Sequence, residues 1–257
     1  MILAVDIGNT STVCGVFEEE KGVLRAVFSF KTQECVSPEE LLLKLKGFLE
    51  LYSLTLRDIK GVCIACVVPP VLNWWIEVGR KWLVREVLVA SAETVPIKVD
   101  LKYPAEVGAD RLINALAGWE KYKSGLIIVD FGTAITFDCI SADGVYLGGA
   151  IAPGPATSAE ALFKKTAKLP RVELENPPAS AMGKDTISAI KSGFVYGFAA
   201  LTDGMIERLS REMSTFTQAI ATGGLASIIV PYCTKIKKVE PYLTLEGLYF
   251  LWKRVKP

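Results

Sequence analysis

Two uninterrupted apolar runs, each closing on an acidic turn, set the pattern of this chain. Ile2-Leu3-Ala4-Val5 leads into Asp6-Ile7-Gly8-Asn9-Thr10-Ser11-Thr12, and Leu126-Ile127-Ile128-Val129 leads into Asp130-Phe131-Gly132-Thr133-Ala134-Ile135-Thr136. Runs of this kind predict strands buried on both faces. Around the first, residues 2–5, 12–17 and 23–30 read as three successive strands, with the charged stretch 18–22 as a solvated turn. Ser37-Pro38-Glu39-Glu40 has the form of a capping box with Pro at the first helical position. It opens a helix whose apolar stripe is Leu41, Leu45, Phe48 and Tyr52. A buried strand over 62–68 ends at Pro69-Pro70; a helix carrying Trp74 and Trp75 and a strand near 84–89 follow. The tryptophans read as core or interface, because no basic residues are interleaved to make a base-stacking platform.

The second half repeats this order. Strands are predicted at 126–130, 134–140 and 145–151, with Asp143-Gly144 as a hairpin turn. A helix near 156–164, a loop with Pro177-Pro178, a long helix near 186–211 and a short strand at 218–221 come next. That strand runs into Thr222-Gly223-Gly224, and a last helix follows Pro241. No low-complexity linker separates the halves, so the boundary is expected near 115–125, giving domains of residues 1–118 and 119–257. The long helix carries Ala189, Gly193, Gly197, Ala200 and Gly204 at three- to four-residue spacing. Such a stripe allows close helix–helix approach, against either the protein's own sheet or a second subunit.

Composition narrows the chemistry. Of 257 residues, 51% are apolar and 22% charged, and the net charge is +1, which gives no field for nucleic acid or an anionic membrane. The chain has no histidine, so Ser-His-Asp and Cys-His catalysis and His-ligated metals are excluded. Proton transfer is left to Asp, Glu, Lys, Tyr or Cys. Cys63 and Cys66 form a C-x-x-C, but within a strand they point to opposite faces and cannot readily share a metal. The cysteines read as buried thiols of a reducing cytoplasm. Neither a signal peptide nor an apolar stretch of membrane-spanning length is read.

The acidic turns carry the candidate chemistry. Gly lets a ligand approach the backbone, and an Asp at a strand end, followed by N–H and hydroxyl donors, suits a metal-bound phosphate. One copy alone is ordinary turn chemistry. Two copies half a chain apart suggest two half-molecules facing each other across a nucleotide, the pattern of the actin, hexokinase and Hsp70 superfamily. A third acidic residue, Asp110, follows Gly108 in Tyr-Pro-Ala-Glu-Val-Gly-Ala-Asp-Arg (103–111) and begins a predicted helix through Leu112, Ala115, Leu116 and Trp119.

The whole chain resembles the type III pantothenate kinases. The matching segments are Asp6-Ile7-Gly8-Asn9-Thr10, Gly108-Ala109-Asp110-Arg111, Asp130-Phe131-Gly132-Thr133-Ala134, Gly148-Gly149-Ala150-Ile151-Ala152-Pro153-Gly154, Gly183-Lys184-Asp185-Thr186 and Thr222-Gly223-Gly224. The resemblance implies an α/β fold of duplicated actin-like (ribonuclease H-like) domains with a nucleotide cleft between them. It also implies transfer of the ATP γ-phosphoryl group to the primary hydroxyl of pantothenate, the first step of coenzyme A synthesis. Asp6, Ile7, Gly8, Asn9, Thr10, Ser11, Thr12 and Val13 would form the first phosphate loop, with Asp6 holding Mg2+ through water. Asp110 would be the general base; Gly108, Ala109, Arg111 and Ile151 would bind pantothenate, with Thr186 reaching it from the neighbouring subunit of a homodimer. Asp130 would bind a monovalent cation (K+ or NH4+), Thr133 would touch ATP, and Gly223 and Gly224 would approach the nucleotide. Two positions depart from the family pattern: Leu101 stands where a Tyr is usual, and Asp185 where Asn is common. A non-catalytic actin-like regulator is the alternative; Asp110, Arg111, Asp130 and Thr133 argue against it. Another sugar or acetate kinase of the superfamily is disfavoured by the short chain and by Gly-Ala-Asp-Arg.

Overall fold

The computed structural model describes residues 1–35, 37–83 and 86–255. The chain divides into two compact units. The first takes Met1–Ile97, Lys102–Lys121 and the chain from Leu243 onward; the second takes Lys98–Leu101 and Tyr122–Tyr242.

In the first unit, β1 (Ile2–Ile7), β2 (Ser11–Phe17) and β3 (Leu24–Lys31) form an antiparallel meander, followed by α1 (Pro38–Leu51). β4 (Gly61–Cys66) then pairs parallel to β1, α2 (Pro69–Val78) runs into one π-helical turn (Gly79–Leu83), and β5 (Glu86–Val89) pairs parallel to β4. The strand expected near 84–89 is therefore seen from 86; positions 84 and 85 lie outside the described residues. Sheet order is β3-β2-β1-β4-β5. β1 is buried at five of six positions, as its unbroken apolar run requires for a strand covered on both sides. At the N-cap of α1 the Ser37 hydroxyl accepts the Glu40 N–H, and Leu41, Leu45 and Leu49 turn into the core beside Trp75. Tyr52, at the end of the predicted stripe, is instead exposed and donates to the Val27 carbonyl at 2.6 Å. Within the β4 pair, Cys63 is buried, while Cys66 is half-buried and exchanges hydrogen bonds with the Val68 backbone. Burial raises both thiols above their usual range.

A two-residue strand, β6 (Lys98–Val99), opens the second unit, and α3 (Ala109–Tyr122) leads from the first unit into it. β7 (Gly125–Phe131), β8 (Ala134–Ile140) and β9 (Val145–Pro153) make the second meander; α4 (Pro155–Lys165) and the 27-residue α5 (Thr186–Glu212) follow. β10 (Phe216–Thr222), α6 (Ala226–Ile229) and β11 (Ile236–Val239) complete it, and α7 (Leu243–Val255) ends the described chain. Sheet order is β11-β10-β7-β8-β9-β6. Apart from β6 added at the edge, this is the first sheet's order repeated, with the same parallel and antiparallel pairings. The duplication read from the sequence is thus a duplication of topology. The short strands β6 and β11 and the single-turn α6 carry too little periodicity to be read beforehand.

The final helix returns to the first unit. Trp252 of α7 lies against Gly61, where a Cβ would come within 2.2 Å of its ring; Tyr249 stacks on Phe17 with ring centroids 5.1 Å apart. A division at 118/119 assigns α7 to the second half, whereas its apolar face closes the β1–β2–β4 side of the first. Among the described residues no helix is long and apolar enough to cross a membrane.

Candidate active site

Each unit presents its acidic hairpin at the end of its central strand. In the first, Asp6 is in register with Val13 on β2 and Ala65 on β4. Ile7 pairs with Thr12, so residues 8–11 form the turn, and the Gly8 N–H donates to the Ser11 carbonyl at 3.0 Å. Thr32, the first residue beyond β3, reaches back to this turn. Its N–H donates to the Thr10 carbonyl at 3.1 Å, and its hydroxyl donates to the Gly8 carbonyl at 2.7 Å. The Thr12 and Thr32 hydroxyls lie 3.1 Å apart and both residues are buried. Asn9, Thr10 and Ser11 are exposed at the tip, and Val13 is half-buried beyond it.

In the second unit, Asp130 is in register with Thr136 on β8 and Thr222 on β10. Phe131 pairs with Ile135, leaving residues 132–134 as a turn one residue shorter than the first. The Gly132 N–H donates to the Ala134 carbonyl at 3.1 Å. Gly154, the first residue beyond β9, donates its N–H to the Thr133 carbonyl at 3.0 Å, and the Thr157 hydroxyl donates to the same carbonyl at 2.7 Å. Gly223 follows β10 with φ +92°, and a Cβ there would lie 2.3 Å from Asp130 Oδ1 and 2.6 Å from the Phe131 nitrogen. Both the left-handed backbone and the packing of the carboxylate demand glycine. Gly224 beside it faces open space.

Asp110 sits in the first turn of α3. The Gly108 carbonyl accepts the N–H groups of Arg111 and Leu112 at 3.1 and 3.2 Å, and Asp110 Oδ1 accepts the Arg111 N–H at 2.9 Å. A Cβ at Gly108 would stand 2.5 Å from Asp110 Oδ1, so glycine leaves room for the carboxylate. Burial pushes the Asp110 carboxyl above the usual Asp range, outweighing the Arg111 N–H and guanidinium, which pull it down. At an ordinary pKa the group would already be ionised at neutrality; the upward shift makes it the stronger base.

The remaining predicted positions lie on the second unit. Ile151 of β9 is 63% exposed and in register with Thr136. Thr186 opens α5 next to its N-cap Asp185, whose carboxylate accepts the Ser188 N–H at 2.9 Å. Leu101 lies within contact distance of Gly148. Thus Asp6–Val13 and Gly108–Arg111 belong to one unit, and Asp130, Thr133, Ile151, Thr186, Gly223 and Gly224 to the other. Thr32 and Thr157 were not among the residues marked by the sequence, and Gly154 stood only as the last residue of a matching segment, with no role given to it. Their contacts depend on where the third strand of each meander ends, a register that sequence pattern alone does not state.

Two sheets of one topology, each ending its central strand in an acidic hairpin, define the actin-like phosphotransferase class. The solved structures agree with that fold. A Baf family protein of Campylobacter jejuni is similar at TM-score 0.61, 17% identity and 98% of each chain. A ROK family glucokinase of Streptomyces griseus is similar at TM-score 0.58 and 13% identity, over 98% of this chain and 99% of its own. Within the class the sequence is specific. The family model described as type III pantothenate kinase matches residues 2–208. The type III pantothenate kinase of Desulfatibacillum aliphaticivorans is 43% identical over 99% of both chains, and that of Syntrophobacter fumaroxidans is 42% identical over 100% of this chain and 99% of its own. The chain belongs to the type III pantothenate kinase family.

Proposed function

We propose that the protein transfers the γ-phosphoryl group of ATP to the primary hydroxyl of pantothenate, giving 4'-phosphopantothenate. The carrying observation is full-length family membership in a chain that keeps a glycine-spaced, half-buried Asp110 of raised proton affinity. Asp110 takes the proton from the acceptor hydroxyl as its oxygen attacks phosphorus, and Arg111 binds the pantothenate carboxylate. Gly108, Ala109 and Ile151 line the same substrate, with Thr186 supplied by a neighbouring subunit. The Asp6–Val13 turn receives the phosphates through its backbone and hydroxyl donors; Thr133, Gly223 and Gly224 meet the nucleotide.

Among the described residues no three His, Cys, Asp or Glu side chains gather into a metal cage. Single carboxylates suit Mg2+ that arrives on the triphosphate and keeps its waters, since such sites use one or two carboxylates plus substrate phosphates. Asp6 is the residue for it. Asp130, packed against Gly223, is the residue for a monovalent cation, K+ or NH4+. When bound, these ions neutralise charge that develops on the transferred group.

We read the protein as a cytoplasmic homodimer. On α5, Ser192, Val195, Ala199, Thr202 and Ile206 are buried in its own unit. Ala189, Gly193, Gly197 and Ala200 are exposed, and a Cβ at Gly193, Gly197 or Gly204 would meet nothing within 4 Å. That face supports close packing of a second copy. Gly193→Leu should halve the particle mass in light scattering; an unchanged dimer removes α5 from the interface. The reaction itself is tested by ADP release with and without pantothenate, with K+ present and then replaced by Na+. Release that depends on both pantothenate and K+ is expected; ADP release indifferent to pantothenate would rule the reading out.

A further inference from the structure

The Thr32 side chain has no place in the proposed chemistry, yet it is 2% exposed and tied to the candidate phosphate turn through both its backbone and its hydroxyl. Its hydroxyl has one proton, which goes to the Gly8 carbonyl at 2.7 Å. The Thr12 hydroxyl, 3.1 Å away, must therefore be the donor of that pair. The result is a buried relay from Thr12 to Thr32 to the Gly8 carbonyl, while the Thr32 N–H holds the Thr10 carbonyl at 3.1 Å. A trans peptide sets its C=O and N–H in opposite directions. With the carbonyls of Gly8 and Thr10 turned toward Thr32, the N–H groups of the same peptides, those of Asn9 and Ser11, are turned away from it. Two amides of alternate residues directed to one side offer an anion a pair of converging backbone donors.

From this we infer that Thr32 is a positioning residue for the triphosphate, setting the peptide planes of the 8–11 turn without touching the nucleotide. The inference rests on the assignment of residues 6–13 as a phosphate loop. The second unit supports it by recurrence, because Gly154, at the corresponding exit from the third strand, donates its N–H to the Thr133 carbonyl in the same way. There the second donor is the Thr157 hydroxyl, from α4.

The test compares wild type, Thr32→Val and Thr32→Ser by calorimetric titration with MgADP, by melting temperature, and by KM for ATP and for pantothenate. Val keeps the shape and the backbone bond but removes the hydroxyl; Ser restores it. Thr32→Val should weaken MgADP about tenfold, the scale of one strong hydrogen bond to a charged group, and raise KM for ATP similarly. KM for pantothenate should stay within about twofold, and Ser should recover most of the MgADP affinity. Hydrogen exchange read on the peptide covering residues 8–12 should show MgADP protection in wild type and Ser but not in Val. Equal MgADP affinity in wild type and Val overturns the inference, as does an equal loss in Val and Ser. Wild type that fails to bind MgADP would instead bring down the phosphate-loop assignment. Wild type that binds MgADP but leaves pantothenate unphosphorylated would bring down only the proposed reaction.

Discussion

The two acidic hairpins share one ladder and differ in how the turn and its neighbour are built. In the first, a four-residue turn is held from below by a threonine relay, and the strand beside Asp6 ends in Cys66, whose thiol is raised by burial and by the Asp6 charge. In the second, a three-residue turn is held by a glycine amide and a helix hydroxyl, and the strand beside Asp130 is followed by Gly223, where a Cβ would press on the carboxylate. Duplication kept the carboxylate at the strand end and let its surroundings diverge. The longer turn exposes Asn9, Thr10 and Ser11, the shorter one only Thr133, and a Cβ at Gly223 would collide with the Asp130 carboxylate.

The largest expected effect lies outside both hairpins. Asp110→Asn should lower kcat about 10²- to 10⁴-fold, the usual contribution of a positioned base, while MgADP binding stays near that of wild type. In wild type, kcat/KM should fall on the acid side with an inflection above the ordinary Asp value of about 3.9, because burial raises Asp110. The same shift fixes a sign for stability. The folded state holds this proton more tightly than the unfolded chain, so stability falls as pH rises from the unfolded to the folded pKa, and stays lower above it. Asp110→Asn should therefore melt higher than wild type at pH 7 and converge with it below about pH 4. A variant that turns over normally, or that melts lower at pH 7, contradicts the assignment.

Next in size is the contrast between the two strand ends. Gly223→Ala meets both a left-handed φ and Asp130 and should cost about 1–3 kcal/mol in urea unfolding, with weakened nucleotide binding. Cys66→Ala, one residue past the strand position beside Asp6, should cost about 1 kcal/mol or less. If both variants unfold alike, the divergence of the hairpin surroundings has no energetic content.

Much of this was legible beforehand, for reasons that can be named. The buried runs at 2–5 and 126–129 mark central strands because only a strand covered on both faces is apolar throughout, and Ser37-Pro38 fixes the start of α1 through local hydrogen bonding. The place of α7 was not legible, since its apolar face does not say which sheet it covers; Gly61 accommodating Trp252 settles it only in three dimensions. The small-residue stripe left two partners open, and the exposure of Gly193 and Gly197 turns it away from the protein's own sheet. Asp6, Asp110 and Asp130 stood out because carboxylates beside glycine are conspicuous. Thr32 and Thr157 did not, because a threonine at a strand exit or in a helix's first turn is ordinary until its hydroxyl has an address.

A smaller expected effect than that of Gly223→Ala is at Thr157. Thr157→Val removes one of two donors to the Thr133 carbonyl and leaves the Gly154 amide in place. It should cost about 0.5–1.5 kcal/mol of stability, with a weaker effect on MgADP than Thr32→Val, whose hydroxyl bonds the Gly8 carbonyl. A larger loss of affinity in Thr157→Val than in Thr32→Val would reverse the proposed division between the two turns.

The most direct measurement is equilibrium binding of MgATP, in K+ buffer without pantothenate, to wild type, Asp6→Asn and Asp130→Asn. The proposed roles of Asp6 and Asp130 toward ATP predict a single ATP per chain in wild type and at least about tenfold weaker binding in each variant. Wild-type affinity in either variant, or two independent nucleotide sites per chain, would contradict it.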